Sequence, residues 1–162
     1  MNSGRVFSIN VSSKKGTPKR PIEKAFVIAN FGIKGDAHAG SSLRQVSLLS
    51  WEAIQSQNFC PKIAKSKDER LGPGDFAENI TTQQFNLSIL QIGDRIKIGE
   101  DVILQVTQIG KKCHNFCEIY KKIGKCIMPK QGIFAKVLQG GWIKKGDSIS
   151  LMKNESRYNN SK

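Results

Sequence analysis

The residues best suited to chemistry in this sequence are clustered cysteines beside a histidine. In the segment Gly110–Cys117, two lysines precede Cys113 and His114 follows it. Nearby positive charge lowers the pKa of a thiol and favours the thiolate, the form that binds soft metals or attacks as a nucleophile. A buried structural cysteine is the alternative, but it fits an isolated cysteine better than a charged cluster. We therefore predict a functional thiolate at Cys113.

A zinc site is the competing interpretation of the same cluster. Cys113, Cys117 and Cys126, together with His114 or His38, would supply a tetrahedral ligand set. Their spacing lacks the paired knuckles of common zinc folds. A chain of 162 residues also buries enough surface to fold without a metal. We therefore favour a thiolate role for Cys113 over a zinc site, with Cys117 or Cys126 as residues that could share that role.

A glycine-rich loop at Gly32–Gly40, followed by Arg44, is the second candidate site. Glycines such as Gly35 and Gly40 let the backbone approach a ligand closely, and Arg44 can grip a phosphate with two N–H groups. His38 could serve as a proton donor, as a metal ligand or as a hydrogen-bonding residue within its loop. The sequence carries no Walker or dinucleotide-binding fingerprint, so this loop by itself does not identify a ligand.

The segment Leu71–Thr82 is the third candidate, because a proline and two glycines define a rigid turn among polar side chains. Asp75, Glu78 and Asn79 offer acceptors for amino or hydroxyl groups. Paired carboxylates could perform acid–base work, although Asp75 could instead cap its own turn.

Short strands must position these loops. Alternation of apolar and polar residues or β-branched runs predict strands at Phe7–Val11, Ala25–Ala29, Gln45–Leu49, Arg95–Ile98, Val102–Thr107, Ile133–Leu138 and Ser148–Leu151. One short helix is predicted after Ser50, which would be its N-cap, with Trp51 and Ile54 as its apolar contacts. A second short helix is predicted at Glu118–Ile123. Recurrent Gly-Asp pairs make tight turns. Many short strands joined by such turns predict an all-β barrel, as one domain over residues 1–151 with a polar, disordered tail at 152–162.

The charge of the chain favours anionic ligands without naming one. The net charge is +13 and the pI is about 9.8, which attracts polyanions. The exposed loop predicted at Ser12–Pro21 holds the densest basic patch, which consists of Lys14, Lys15, Lys19 and Arg20. A nucleic-acid-binding barrel is thus an alternative function, but the interleaved aromatic side chains that stack on bases are lacking.

The composition also indicates where the protein works. We find no signal peptide and no apolar run near the ~20 residues that span a bilayer. The cysteines of such a chain are expected to be reduced. We therefore expect a cytoplasmic protein that does not enter the membrane.

Taken in order, the three segments resemble the MOSC family, named for the C-terminal domain of molybdenum cofactor sulfurase. The matching stretches lie within Gly32–Leu49, Leu71–Thr82, Leu90–Ile98 and Gln105–Gly141. Cys126-Ile127-Met128-Pro129 and the Cys-His-x-x-Cys pattern that begins at Cys113 suggest a short, standalone bacterial-type member. The resemblance implies a strongly bent β-barrel with a few short helices.

The resemblance also implies a function. One cysteine of the family, Cys113 here, would carry sulfur or bind molybdenum of the molybdenum cofactor (molybdopterin), with His38 and His114 as further catalytic candidates. The anionic pterin would be held by the residues Gly35, Asp36, Gly40, Arg44, Asp75, Glu78 and Asn79. Glu78 and Asn79 would either bond the cofactor or order the wall of its site.

The activity implied is a molybdenum-dependent oxidoreductase, reducing N-hydroxylated compounds, or a sulfur or cofactor carrier. A separate electron donor or sulfurase would be the partner, since the chain shows no pyridoxal-phosphate domain of its own. A family member that keeps the barrel only to bind partners is the remaining alternative.

Overall fold

Short strands build most of the computed structural model, which describes residues 2–57, 70–112 and 126–153. Within these ranges the strands are β1 Ser3–Val11, β2 Arg20–Ile22, β3 Lys24–Ile28, β4 Gly32–Ile33, β5 Val46–Ser50, β6 Ile80–Gln83, β7 Arg95–Ile98, β8 Val102–Ile109, β9 Ile133–Gln139, β10 Gly141–Lys144 and β11 Ser148–Leu151. The helices are α1 Trp51–Gln57 and α2 Met128–Gln131, with a 3-10 turn at Leu87–Ile89. No helix in the described ranges is long and apolar enough to cross a membrane.

Seven of these strands close into a barrel. Their order around it is β1, β11, β7, β8, β9, β5 and β6, and the pairing of Arg5 with Ser148 joins β1 to β11. β2 extends the sheet beyond β1, while β3, β4 and β10 form a separate three-stranded sheet. Register shifts in the β1–β6 and β8–β9 pairs mark bulges, which bend and twist the strands they interrupt. The predicted all-β barrel is confirmed.

The pairing of β5 with β6 is the parallel one in an otherwise antiparallel ring. Leu48 lies opposite Ile80 in this pair. Parallel neighbours require a crossover rather than a hairpin, and α1 lies within the connection here. The described parts of this connection, which are α1 and residues 71–77, pack on the outside of the barrel.

Two apolar clusters lie on opposite faces of β5. Val46 and Leu48 belong to the barrel interior, whereas Leu49 packs outside it with Ile54 of α1 and Phe134 of β9. The outer cluster also contains Leu71, Phe76, Ile127 and Met128. Burial on both faces explains why the apolar residues of β5 do not alternate strictly with polar ones. The outer cluster holds α1, α2 and the 71–77 turn against the barrel wall.

The sequence-based assignments agree with the structure at all seven predicted strands, within a few residues at their ends. Ser50 caps α1 as expected, since its Oγ accepts a hydrogen bond from the N–H of Ala53 at 3.1 Å. The exposed loop predicted at Ser12–Pro21 is wrong at its end. Arg20 and Pro21 pair with β1, and Lys19 is only 4% exposed.

Four strands were not predicted from the sequence, namely β2, β4, β6 and β10. β6 escaped notice because Thr81 and Thr82 are polar yet fully buried, so the strand reads as part of a polar loop. The predicted helix Glu118–Ile123 and residues 154–162 of the predicted tail lie outside the described residues.

Gly74→Ala should lower the free energy of unfolding more than its control, Gly93→Ala. Both glycines have positive φ, +87° at Gly74 and +95° at Gly93, so each substitution costs about 1–2 kcal/mol of backbone strain. A Cβ at Gly74 would also lie 2.0 Å from the carbonyl oxygen of Lys19, whereas nothing lies within 4 Å at Gly93. We expect a further loss of about 2 kcal/mol or more for Gly74→Ala, measured by urea denaturation. Equal losses of unfolding free energy in Gly74→Ala and Gly93→Ala would contradict the close approach of Gly74 to the carbonyl of Lys19.

Candidate functional site

A buried ion pair organises the first loop of the site. The Nζ of Lys19 lies 2.7 Å from Oδ1 of Asp36, and neither side chain is exposed to solvent. The same Oδ1 accepts from the N–H of Ser12, and the carbonyl of Ser12 accepts from the N–H of Ala37. The N–H of Lys19 donates to the carbonyl of Gly74. The ion pair thus ties the 12–19 loop to the glycine-rich loop and to the 71–77 turn.

Asp36 is held in its charged form at neutral pH. Burial raises the pKa of this carboxyl, but the backbone N–H of His38 and the hydrogen bond and charge of Lys19 outweigh burial and hold the pKa well below its usual range. Its Oδ2 accepts from the backbone N–H of His38 at 3.0 Å. Both carboxylate oxygens of Asp36 therefore have partners within the protein, so this residue positions the loop that carries His38.

The glycine-rich loop continues as linked turns from His38 to Arg44. The N–H of Ser41 donates to the carbonyl of His38, and Ser41 Oγ accepts from the N–H of Arg44. Gly35 and Gly40 have φ of +87° and +88°, a conformation that glycine adopts without strain. Both residues are exposed, as expected for positions that a ligand can approach.

A polar cavity opens beside Gly35. It measures about 500 Å³ and is lined by Val11, Ser12, Ser13, Lys14, Thr17, Pro18, Arg20 and Gly35. Within the described residues, Lys14 and Arg20 form no ion pair. The cavity therefore offers hydroxyl groups and unpaired cations next to the loop that Asp36 holds.

Arg44 and Lys111 approach the same aromatic ring. The guanidinium carbon of Arg44 lies 5.5 Å from the ring centre of Phe134, and Lys111 Nζ lies 6.0 Å from it. The Nε of Arg44 donates to Oε1 of Gln108 at 3.1 Å. No carboxylate of the described ranges pairs with either cation. The terminal N–H groups of Arg44 are thus available to an anion.

The third segment forms the turn that the sequence predicts. Oδ2 of Asp75 accepts from the N–H of Gly72 at 2.7 Å, so Asp75 caps its own turn. Asn79 is fully buried. Its Oδ1 accepts from the N–H of Ser47 and its Nδ2 donates to the carbonyl of Asn10. Through these bonds Asn79 links the residues before β6 to β1 and β5, while its role towards a cofactor stays a prediction.

Glu78 is the buried carboxyl group of this segment. Its side chain has no solvent exposure. Its Oε2 accepts from the hydroxyl of Thr81 at 3.1 Å, and Oε1 has no hydrogen-bond partner in the described structure. Burial raises the pKa of Glu78 to about 8, and hydrogen bonding by Thr81 and nearby backbone N–H groups offsets this only in part. At neutral pH the group is therefore mainly a neutral acid.

Several predicted site residues cannot be placed. Cys113, His114 and Cys117 lie outside the described residues, so the thiolate and zinc interpretations both stay predictions. Cys126 is half-buried and packs against the outer apolar cluster. Among the described residues, no group of three or more histidine, cysteine or acidic side chains is arranged to hold a metal.

Three residues of the site were not predicted from the sequence. Lys19 was assigned to an exposed basic patch, which is wrong because its side chain is buried against Asp36. Gln108 and Phe134 contact Arg44. The sequence indicates strands in their regions, but no pattern assigns either residue to a site. Gln108 lies 64 residues after Arg44 in the sequence, and Phe134 lies 90 residues after it.

Glu78→Gln should remove a pH dependence of folding stability. Because the pKa of Glu78 is raised in the folded protein to about 8, the folded state binds more protons than the unfolded state between about pH 4.5 and pH 8. The free energy of unfolding should therefore fall as pH rises through this window, by at most about 1.4 kcal/mol for each pH unit.

The measurement is urea denaturation between pH 5 and pH 8.5. The Glu78→Gln protein should lack this decrease, while Glu100→Gln, at an exposed position, should retain it. The same pH slope in Glu78→Gln and the wild type would show that another group titrates.

Solved structures share the fold of this chain. The YuaD protein of Bacillus subtilis superposes with a TM-score of 0.72 at 19% identity, over 94% of this chain and 97% of that one. YiiM from Escherichia coli gives 0.64 at 18% identity, over 93% and 70%. YiiM from Geobacillus stearothermophilus gives 0.65 at 20%, over 92% and 75%. At these identities the likeness concerns the fold.

No curated protein matches the sequence. The family model described as the MOSC domain matches residues 35–150, which include most of the glycine-rich loop, the 71–77 turn and strand β8. The chain therefore belongs to the MOSC domain family.

Proposed function

We propose that this chain binds the molybdenum–pterin cofactor through the thiolate of Cys113. It would then act as a molybdenum-dependent oxidoreductase, with N-hydroxylated compounds as substrates, or as a carrier of sulfur or cofactor. MOSC domains in general bind this cofactor or carry sulfur, and the chain belongs to that family. A soft thiolate is also a suitable ligand for molybdenum.

The observation that carries the proposal is the pair of unpaired cations next to the cysteine segment. Arg44 and Lys111 meet at Phe134, and Lys111 is two residues before Cys113. The chain is anchored there, because the N–H of Gly110 donates to the carbonyl of Gly132 and that of Lys111 to the carbonyl of Pro129. An anionic ligand bound at Cys113 would therefore meet fixed positive charge.

The described residues fit a pterin that carries a phosphate. Arg44 can bind phosphate oxygens with two N–H groups, since only its Nε is engaged in the described structure. Gly35 opens on a cavity with cations at its wall. Neutral Glu78 and Asn79 order the wall behind the loops. The cofactor would supply two-electron redox chemistry or a transferable sulfur, and the chain would supply its anchoring and its charge balance.

The setting of this function is also a proposal. We expect the protein to work in the cytoplasm with a separate electron donor or sulfurase, and without membrane or nucleic acid as partner. The buried position of Lys19 removes one cation from the patch that would have formed a nucleic-acid footprint.

Cys113→Ser should abolish retention of the cofactor. Protein purified from a cofactor-producing host should contain molybdenum and release a fluorescent pterin on oxidation, and the variant should contain neither. Its melting midpoint should stay within about 5 °C of the wild type, as for a lost ligand that creates no core cavity. The measurements are the molybdenum-to-protein ratio and a melting curve.

The other cysteines serve as controls. Cys60→Ser should change neither the molybdenum content nor the melting midpoint. Equal loss of metal in the Cys113, Cys117 and Cys126 variants would indicate a shared, zinc-like cluster. Full retention of molybdenum in Cys113→Ser would overturn the proposal.

Arg44→Gln should weaken binding of the cofactor by about tenfold or more, because a hydrogen bond to a charged group contributes about 1.5–3 kcal/mol. Arg95→Gln is the matched control, since it makes the same charge change at an exposed position of β7. The pterin content of both proteins should be compared after dialysis against cofactor-free buffer. Similar retention in the two variants would contradict a role for Arg44 in binding.

A further inference from the structure

The buried ammonium group of Lys19 has three hydrogen-bonding contacts. Its Nζ lies 2.7 Å from Oδ1 of Asp36, 3.0 Å from Oγ of Ser12 and 3.2 Å from Nδ1 of His38. A lysine ammonium carries three N–H donors and no acceptor. Every donor of Lys19 therefore has one partner, and one of those partners is the ring of His38.

This contact determines which nitrogen of His38 carries the proton. Because the ammonium group can only donate, Nδ1 must offer its lone pair, and a neutral imidazole that accepts at Nδ1 is protonated at Nε2. The opposite tautomer would point the Nδ1 proton toward Oδ2 of Asp36. That distance is 3.8 Å, which is too long for a hydrogen bond, and the proton would also face the ammonium group.

The other edge of the imidazole is open. The side chain of His38 is 24% exposed, although Nδ1 faces a fully buried ammonium group. Nε2 has no hydrogen-bond partner in the described structure. The backbone N–H of His38 is held by Asp36, so the position of the ring is constrained from two sides.

We infer that Lys19 is a positioning residue, which holds His38 with Nδ1 as a hydrogen-bond acceptor and the proton on Nε2, so that His38 presents an N–H donor to the bound ligand. The inference rests on the proposed function for its ligand, the anionic cofactor or an oxygen-bearing substrate at the same site. A histidine in this state has no free lone pair. It is therefore neither a metal ligand nor a general base, and of the roles considered for His38 the donor role remains.

The tautomer can be measured directly in the wild-type protein. Long-range ¹H–¹⁵N correlation spectra at pH 7 distinguish the two neutral forms of histidine and the imidazolium. The chain has two histidines, so a spectrum of His114→Gln assigns the signals of His38. We expect the form protonated at Nε2. The form protonated at Nδ1, or the imidazolium, would overturn the inference.

Lys19→Met tests whether the lysine causes this preference. The variant should show a mixture of tautomers at His38, whereas Lys15→Met, which removes an exposed lysine of the same loop, should keep the wild-type spectrum. A folded Lys19→Met protein with an unchanged tautomer would overturn the role of Lys19. If that variant does not fold, the wild-type spectrum still decides the state of His38.

The donor role is tested by two substitutions of His38 itself. His38→Gln keeps an N–H donor and His38→Leu removes it, so the leucine variant should bind the cofactor about five- to tenfold more weakly than the glutamine variant. Equal cofactor retention in both variants, with loss in Cys113→Ser, would overturn the donor role and leave the proposed function intact. Retention of the cofactor in Cys113→Ser would reject the proposed function. It would not bear on the tautomer of His38, which the spectra alone determine.

Discussion

The ion pair between Lys19 and Asp36 is the interaction on which the architecture of the site depends. It joins segments that no strand pairing connects: the 12–19 loop, the glycine-rich loop and, through the backbone of Lys19, the turn at Gly74. Removing one partner of a buried pair costs about 3–5 kcal/mol, because the other charge is left buried without a counterion. The loops around the site are therefore held by electrostatics, and the barrel provides the wall against which they are held.

A layer of buried polar groups continues this arrangement into the barrel wall. Asn10 of β1 donates to the hydroxyl of Thr81 on β6, and Asn79 bridges Asn10 and Ser47 of β5. Satisfied buried networks of this kind favour a single arrangement of their strands. The layer sits where β6 begins between an antiparallel and a parallel neighbour. It thereby fixes the register of β6 where apolar packing alone would allow a shift.

The fold was largely predictable and the site was predictable in part. The hairpin of β7 and β8 follows from the alternation of Ile96 and Ile98 with charged residues, which is a local signal. The burial of Lys19 depends on Asp36, 17 residues away, and local composition favours the opposite conclusion. Glycines and Arg44 mark the glycine-rich loop in the sequence. The contact of Arg44 with Phe134 arises only when β5 and β9 pair, so no local pattern predicts it.

Closure of the barrel between β1 and β11 has a consequence for how the protein forms in the cell. The closing pairs join residues near position 3 to residues near position 150, among the longest sequence separations in the fold. Contacts of such separation slow folding, because the chain must lose most of its freedom before they form. On the ribosome, β1 leaves the exit tunnel first and must wait for β11 before it gains its last neighbour. Until then its unpaired edge is exposed, and chaperone binding during synthesis would protect it from aggregation.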